Sequence, residues 1–92
     1  MELEWDEDKA AHNLNKHLVA FEDAALVFYD ELRIEMYDNR EDYGEDRWIT
    51  IGRASSTLLY VAYTVRDGDT IRLISARKAN EQERKKYREA NP

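Results

Sequence analysis

The chain has 92 residues, 42% of them hydrophobic and 37% charged, which supports one domain over residues 1–92 and excludes a disordered chain. Its net charge of -6 combines -11 in residues 1–46 with +5 in residues 47–92, which excludes nucleic-acid binding through overall charge but allows a local basic site. The chain has no cysteine, which excludes a disulfide scaffold. It shows neither a signal peptide nor an apolar run of roughly 20 residues, which predicts a cytoplasmic protein without membrane contact.

The first part of the chain predicts a short strand followed by helices. Leu3 and Trp5 fit the strand, and Asp6 provides an N-cap for the first helix. Apolar residues at helical spacing predict the buried stripe of this helix: Ala10, Ala11, Leu14 and Leu18. Three polar residues lie largely off that stripe: Asn13, Asn15 and Lys16. A second, short helix is predicted over residues 21–28.

The remainder predicts an antiparallel meander of strands closed by a helix. Alternation of apolar and polar residues predicts strands over residues 32–36, 47–53, 58–65 and 70–77, with a solvated acidic loop over 38–46. The segment 58–65 is apolar on both faces, which predicts a central position in the sheet. The fold class is therefore α+β, an antiparallel meander with N-terminal helices packed on it and a C-terminal helix.

Two local motifs predict how the last elements begin. Asp67-Gly68 is typical of a two-residue hairpin turn, which would place Tyr63 opposite Arg72. Asn80 and Glu83 have the spacing of a capping box, which predicts a helix over residues 81–90.

Arg77 and Lys78 stand where the last strand meets this helix. Cationic side chains and free backbone N–H groups at such a junction can bind a phosphate. The alternative is that these residues are solvated surface charges and that Arg72 stacks on Tyr63 across the hairpin.

Lys16 and His17 end the first helix and form a second candidate. A histidine there can act as a general acid or base near neutral pH, although both residues can equally serve as cations that offset the helix dipole. His12 and His17 diverge on a helix, so they do not suit one metal ion, and the acidic loop lacks the order of a calcium site. No metal and no cofactor are expected.

Three segments resemble the BrnT family of bacterial toxins from type II toxin-antitoxin systems: EWDEDKAAHNLNKHLVAFEDAALVF (residues 4–28), RWITIG (47–52) and YTVRDGDTIRLISARKANEQERKKY (63–87). The resemblance covers nearly the whole chain. Its most specific parts are EWD-x-x-K, N-x-x-KH, F-x-x-A and R-x-IS-AR-KA followed by E-R-x-x-Y.

The resemblance implies a RelE-like fold and a ribonuclease that cleaves RNA without a metal, inhibiting translation and growth. Attack of a ribose 2′-hydroxyl on the adjacent phosphate requires proton transfer and cations that stabilise the developing charge. The implied catalytic residues are His17 and Tyr63 for proton transfer, together with Arg77. The implied substrate-binding residues are Lys16, Arg66, Arg72 and Lys78.

The resemblance also implies a partner, a BrnA-type antitoxin with a ribbon-helix-helix region that masks the toxin. DNA would be contacted only through this antitoxin. Two residues depart from the family pattern: Leu18 where a glycine is expected, and Val65 where an acid is common. Leucine disfavours a left-handed helix exit. These departures support an alternative, a catalytically silent module that binds an antitoxin; a further alternative is an acidic regulatory protein that acts through protein contacts.

Overall fold

The alternating segments of the chain form a five-stranded sheet with helices on both faces. A computed structural model describes residues 1–92. The strands are β1 (Glu2–Glu4), β2 (Ile34–Tyr37), β3 (Trp48–Ala54), β4 (Thr57–Arg66) and β5 (Thr70–Lys78), in the order β1-β5-β4-β3-β2. The helices are α1 (Glu7–His17), α2 (Phe21–Ala24), a 3-10 helix (Ala25–Tyr29) and α3 (Glu81–Ala90). None of them is long and apolar enough to cross a membrane.

The prediction of a purely antiparallel meander is wrong at one edge of the sheet. β1 pairs with β5 in parallel, with Leu3 opposite Ile71. The sequence did not predict this pairing because β5 is distant from β1 in the chain, and the three residues of β1 are too few to indicate whether it pairs in parallel or antiparallel. Because β1 reaches only Thr70 to Arg72, the rest of β5 has no strand on its outer side. The predicted central position of β4 is confirmed by the strand order.

The hairpin between β4 and β5 has a different register from the one predicted. Asp67 and Gly68 do adopt positive φ, but Arg66 pairs with Thr70, so the turn contains three residues. Further along, Ile74 is an extra residue between two successive pairs, which is a β-bulge. Tyr63 therefore lies opposite Leu73, and the predicted stacking of Arg72 on Tyr63 does not form. Nothing in the local sequence marks this bulge.

The two faces of the sheet carry separate cores. We call the face under α1 and α2 the first face; its main core includes Phe21, Val27, Val61 and Leu73. On the second face, α3 buries Tyr87 against Ile51 and Ala79. The predicted capping box of α3 is confirmed: the Asn80 side chain accepts from the Glu83 N–H, and the Glu83 carboxylate accepts from the Asn80 N–H.

α1 is rotated about its axis relative to the prediction. Asn13 is 4% exposed, whereas Leu14 and Leu18 are 48% and 80% exposed, so only the start of the apolar stripe, at Ala10, packs against the core. The predicted N-cap Asp6 is confirmed, since its carboxylate accepts from the Lys9 N–H. Leu18 adopts the left-handed conformation (φ 59°) expected of a glycine, so the predicted change of helix exit is wrong.

Candidate functional site

Asn13 ties α1 to the unpaired edge of β5. Its amide Nδ2 donates to the carbonyl oxygens of Ala76 and Val19, each at 2.9 Å, and its Oδ1 accepts from the Ala76 N–H at 3.0 Å. One side chain thus pairs both backbone groups of Ala76, as a neighbouring strand would. This contact fixes the end of α1, with Lys16 and His17, beside the end of β5.

A cleft of about 420 Å³ lies between α1 and this edge. We define it as the edge cleft, and most of its lining residues are basic or polar: Asp8, Lys9, His12, Asn13, Lys16, His17, Arg47, Ile74 and Ser75. Asp8 is its one acidic residue. The balance of charge suits an anionic ligand.

His17 is a neutral base in this setting. Partial burial lowers its pKa below the usual value of 6.5, and the positive charges of Lys16, Arg77 and His12 lower the pKa further. A histidine with a lowered pKa is deprotonated at neutral pH and can accept a proton from a substrate hydroxyl.

Arg77 lies opposite Tyr60 at the end of β5, on the second face. Its guanidinium carbon is 4.0 Å from the centroid of the Tyr60 ring, and its two terminal nitrogens donate to the Glu83 carboxylate at 2.8 Å each. The hydrogen bonds to Glu83 raise the pKa of Arg77. Stacking and bidentate pairing together hold the guanidinium in one orientation.

The connection between β2 and β3, which contains the acidic loop, supplies two more cations and is not fully solvated. Asp38 is buried, and Arg40 donates to its two carboxylate oxygens at 2.7 and 2.8 Å. The positive charge of Arg40 lowers the pKa of Arg77 and so opposes part of the rise that Glu83 causes. Arg47 reaches the edge cleft with its guanidinium carbon 4.0 Å from the centroid of the Tyr43 ring. Cations therefore approach the strand edge from both faces of the sheet.

The structure brings together three of the seven residues singled out from the sequence. Lys16 and His17 line the edge cleft, and the charge of Arg77 acts on His17. The other four residues lie elsewhere: Tyr63, Arg66, Arg72 and Lys78.

Tyr63 is buried in the main core, on the face of the sheet opposite Arg77. Its ring meets Phe28 edge-on at 5.1 Å between centroids, and burial raises its pKa. Such a side chain neither reaches the edge cleft nor gives up a proton readily near neutral pH.

The remaining three cations are separated from Arg77 by the geometry of the hairpin. Arg72 is ion-paired with Glu4. It precedes Arg77 by five residues along β5 and hence lies about 17 Å from Arg77. Arg66 stands at the turn, 3.9 Å from Glu45. Lys78 lies opposite Leu59, on the first face. Val65 also stands near the turn, opposite Ile71. The position where the family commonly has an acid therefore does not border the edge cleft.

Sequence reasoning missed four residues of this region: Asn13, Arg40, Arg47 and Tyr60. Asn13 belongs to the N-x-x-KH segment, so it was visible but was placed off the buried stripe. Tyr60 would have been placed opposite Arg77 if the register had been known. No sequence signal links Arg40 or Arg47 to a strand edge formed by other segments.

Comparisons with known proteins agree with this architecture. The family model described as "Ribonuclease toxin, BrnT, of type II toxin-antitoxin system" matches residues 5–83. The 1.1 Å crystal structure of the Brucella abortus ribonuclease toxin BrnT is 27% identical, with a TM-score of 0.67, covering 88% of this chain and 99% of that one. A search of curated proteins found no significant match. A type II toxin has an antitoxin partner. The chain belongs to the BrnT family of ribonuclease toxins of type II toxin-antitoxin systems.

Proposed function

We propose that the chain is an endoribonuclease toxin that cleaves RNA at the edge cleft. The observation that supports this proposal most directly is the grouping of a neutral His17 with Lys16 and Arg77 at the unpaired end of β5. A base and cations at one place are what cleavage of a phosphodiester requires.

The proposed reaction is attack of a ribose 2′-hydroxyl on the neighbouring phosphate. His17 takes the 2′ proton, the new oxygen-phosphorus bond closes a 2′,3′-cyclic phosphate, and the bond to the 5′ oxygen breaks. Lys16, Arg47 and Arg77 stabilise the charge on the phosphate oxygens, and the Lys16 ammonium carries a proton for the leaving oxygen. Side chains fill every role, so the reaction proceeds without a metal ion.

Tyr60 takes the place of Tyr63 as the tyrosine of the site. The Tyr60 ring lies under the Arg77 guanidinium, whereas Tyr63 is in the core. We assign Tyr60 to positioning Arg77 through this stacked contact.

The biological setting follows from the family. RNA cleavage would inhibit translation and arrest growth in the cytoplasm, and a BrnA-like ribbon-helix-helix antitoxin would neutralise the toxin and contact the operator DNA.

Matched arginine variants test the site. Arg77→Ala should lower RNA cleavage in EDTA by about 100-fold or more, because one cation at the transition state is lost. Arg72→Ala removes an arginine from the same strand that lies about 17 Å from Arg77 and is ion-paired with Glu4, and its cleavage rate should stay within about twofold of the parent. Equal loss in both variants, or undiminished cleavage by Arg77→Ala, would remove the proposed site.

A catalytically silent, antitoxin-binding module is the second candidate. One observation favours it: Glu83 occupies both terminal nitrogens of Arg77, the groups that would grip a phosphate. Expression of the chain without its antitoxin distinguishes the two. Unaffected growth and intact RNA, with a stable antitoxin complex, would support the silent module.

A further inference from the structure

Three leucines of the helical layer on the first face are exposed to solvent. Leu14, Leu18 and Leu26 are 48%, 80% and 45% exposed, and we call them the leucine surface. Leu14 and Leu18 belong to the apolar stripe of α1, which the buried Asn13 has turned away from the sheet. An amphipathic helix that presents its apolar side outward has an unpartnered face.

Two shallow depressions border these leucines. One, of about 180 Å³, includes Leu14 and Phe21; the other, of about 250 Å³, includes Leu18, Leu26 and Leu59. Their rims carry three carboxylates against a single lysine: Glu7, Glu22 and Asp23 against Lys78. The surface is therefore apolar at its centre and acidic at its margin.

Leu18 carries a cost that the chain alone does not recover. Its left-handed backbone conformation (φ 59°) is unfavourable for a residue with a Cβ atom, and glycine would adopt it without strain. Its side chain gains little from burial in the isolated chain, since it is 80% exposed. Contact with a partner would bury the side chain and so offset the cost of the backbone conformation.

We infer that the leucine surface is the docking site of the antitoxin and that its occupant is a basic amphipathic helical segment. Apolar side chains of that segment fill the two depressions, and its lysines and arginines meet Glu7, Glu22 and Asp23. The acidic rim selects a basic segment over a second copy of this chain, whose own leucine surface carries the same negative margin. This inference rests on the proposed antitoxin partnership.

The leucine surface and the edge cleft lie on different sides of α1. Successive residues of an α-helix are about 100° apart, so Leu14 and Lys16 point about 160° away from each other. Substitution of Leu14 therefore leaves the cleft intact. Binding of the antitoxin and cleavage of RNA are separable properties.

Two variants with a matched control test the docking site. The chain is co-expressed with the product of the adjoining gene of its operon, and the affinity of the purified pair is measured. Leu14→Gln and Leu18→Gly should each weaken binding about tenfold or more, because a buried leucine is lost. Leu32→Gln, at a leucine 55% exposed elsewhere, should leave the affinity unchanged.

Leu18→Gly separates docking from folding. Relief of the strained backbone should hold its Tm at or above the parent value while the affinity falls. Unchanged affinity in both variants would overturn the docking site and leave the partnership standing. Failure of the parent chain to bind would overturn the partnership itself. Concentration-dependent dimerisation of the parent, abolished by Leu14→Gln, would instead identify a second copy as the occupant and overturn the inference.

Discussion

At the scale of single residues, Asn13 decides where the candidate site forms. It pairs both backbone groups of Ala76 and one of Val19, in a place where a strand is missing from the sheet. An aspartate or leucine at this position would leave at least one of these groups without a partner. The catalytic assignments of Lys16 and His17 thus depend on an amide that takes no part in the chemistry.

Asn13→Ala is expected to lower the free energy of unfolding by about 3 kcal/mol, because it leaves buried backbone groups unpaired. Urea unfolding measures this loss. Asn15→Ala removes the same side chain from an exposed site of the same helix and should stay within about 0.5 kcal/mol of the parent. A loss for Asn13→Ala no larger than that of the control would contradict the edge-pairing role.

The pH dependence of cleavage tests His17. Protonated His17 cannot accept a proton, so the single-turnover rate should rise with pH through a midpoint below 6.5, since burial and three cations lower the pKa of His17. His17→Gln should remove the rising limb of the pH–rate profile and lower the rate about 100-fold. His12→Gln should keep the limb but shift it to higher pH, because one positive neighbour of His17 is gone. A limb that survives in His17→Gln would exclude His17 as the base.

At the scale of elements, α1 and α3 show how far an amphipathic pattern predicts contact. The leucines of the apolar stripe of α1 are exposed because Asn13 gains three hydrogen bonds by facing the sheet. α3 is almost wholly polar, yet it docks by burying Tyr87, whose hydroxyl donates to Asp30 at 2.7 Å. In both helices one polar group with a specific partner decides which side is buried.

Glu83 connects α3 to the candidate site, and its charge should contribute to stability. Burial opposes ionisation, but hydrogen bonds from Arg77 and the Asn80 N–H lower the pKa of Glu83 below 4.5. A lowered folded-state pKa stabilises the protein above the unfolded value, and this contribution disappears as pH falls through the folded value. Glu83→Gln should therefore cost about 1 kcal/mol at pH 7 and progressively less below pH 4.5.

Glu81→Gln is the matched control, because Glu81 lies in the same turn with an exposed side chain and pairs only with Arg84 and Arg88. Its unfolding free energy at pH 7 should stay within about 0.5 kcal/mol of the parent. A deficit in Glu83→Gln that persisted unchanged to pH 3 would mean that the Arg77 pair contributes nothing.

At the scale of the whole molecule, an acidic protein carries a basic edge. The net charge is -6, but the lining of the edge cleft contains one carboxylate against five lysine, arginine or histidine side chains. The sheet produces this concentration by bringing Ile74 and Ser75 of β5 together with α1 and with Arg47, which precedes β3. RNA binding should therefore depend on a few local cations and not on the overall charge.

The salt dependence of RNA binding measures the number of these cations. With Lys16, Arg47 and Arg77 on phosphates, the plot of log affinity against log salt should have a slope of about -2. Arg77→Ala should reduce its magnitude by about 0.7, whereas Arg72→Ala should not change it. A slope near zero would show that RNA does not contact these side chains.

The sequence by itself determined the elements, the capping boundaries and the family, because alternation, helical spacing and caps act over a few residues. It did not determine the parallel partner of β5, the bulge at Ile74 or the rotation of α1, since each depends on groups distant in the chain. Lys16, His17 and Arg77 came together in space, while Tyr63 entered the core and Arg72 went to the far end of the strand. Tertiary structure alone made that division, because it decides which face of the sheet the N-terminal helices cover and which part of β5 pairs with β1.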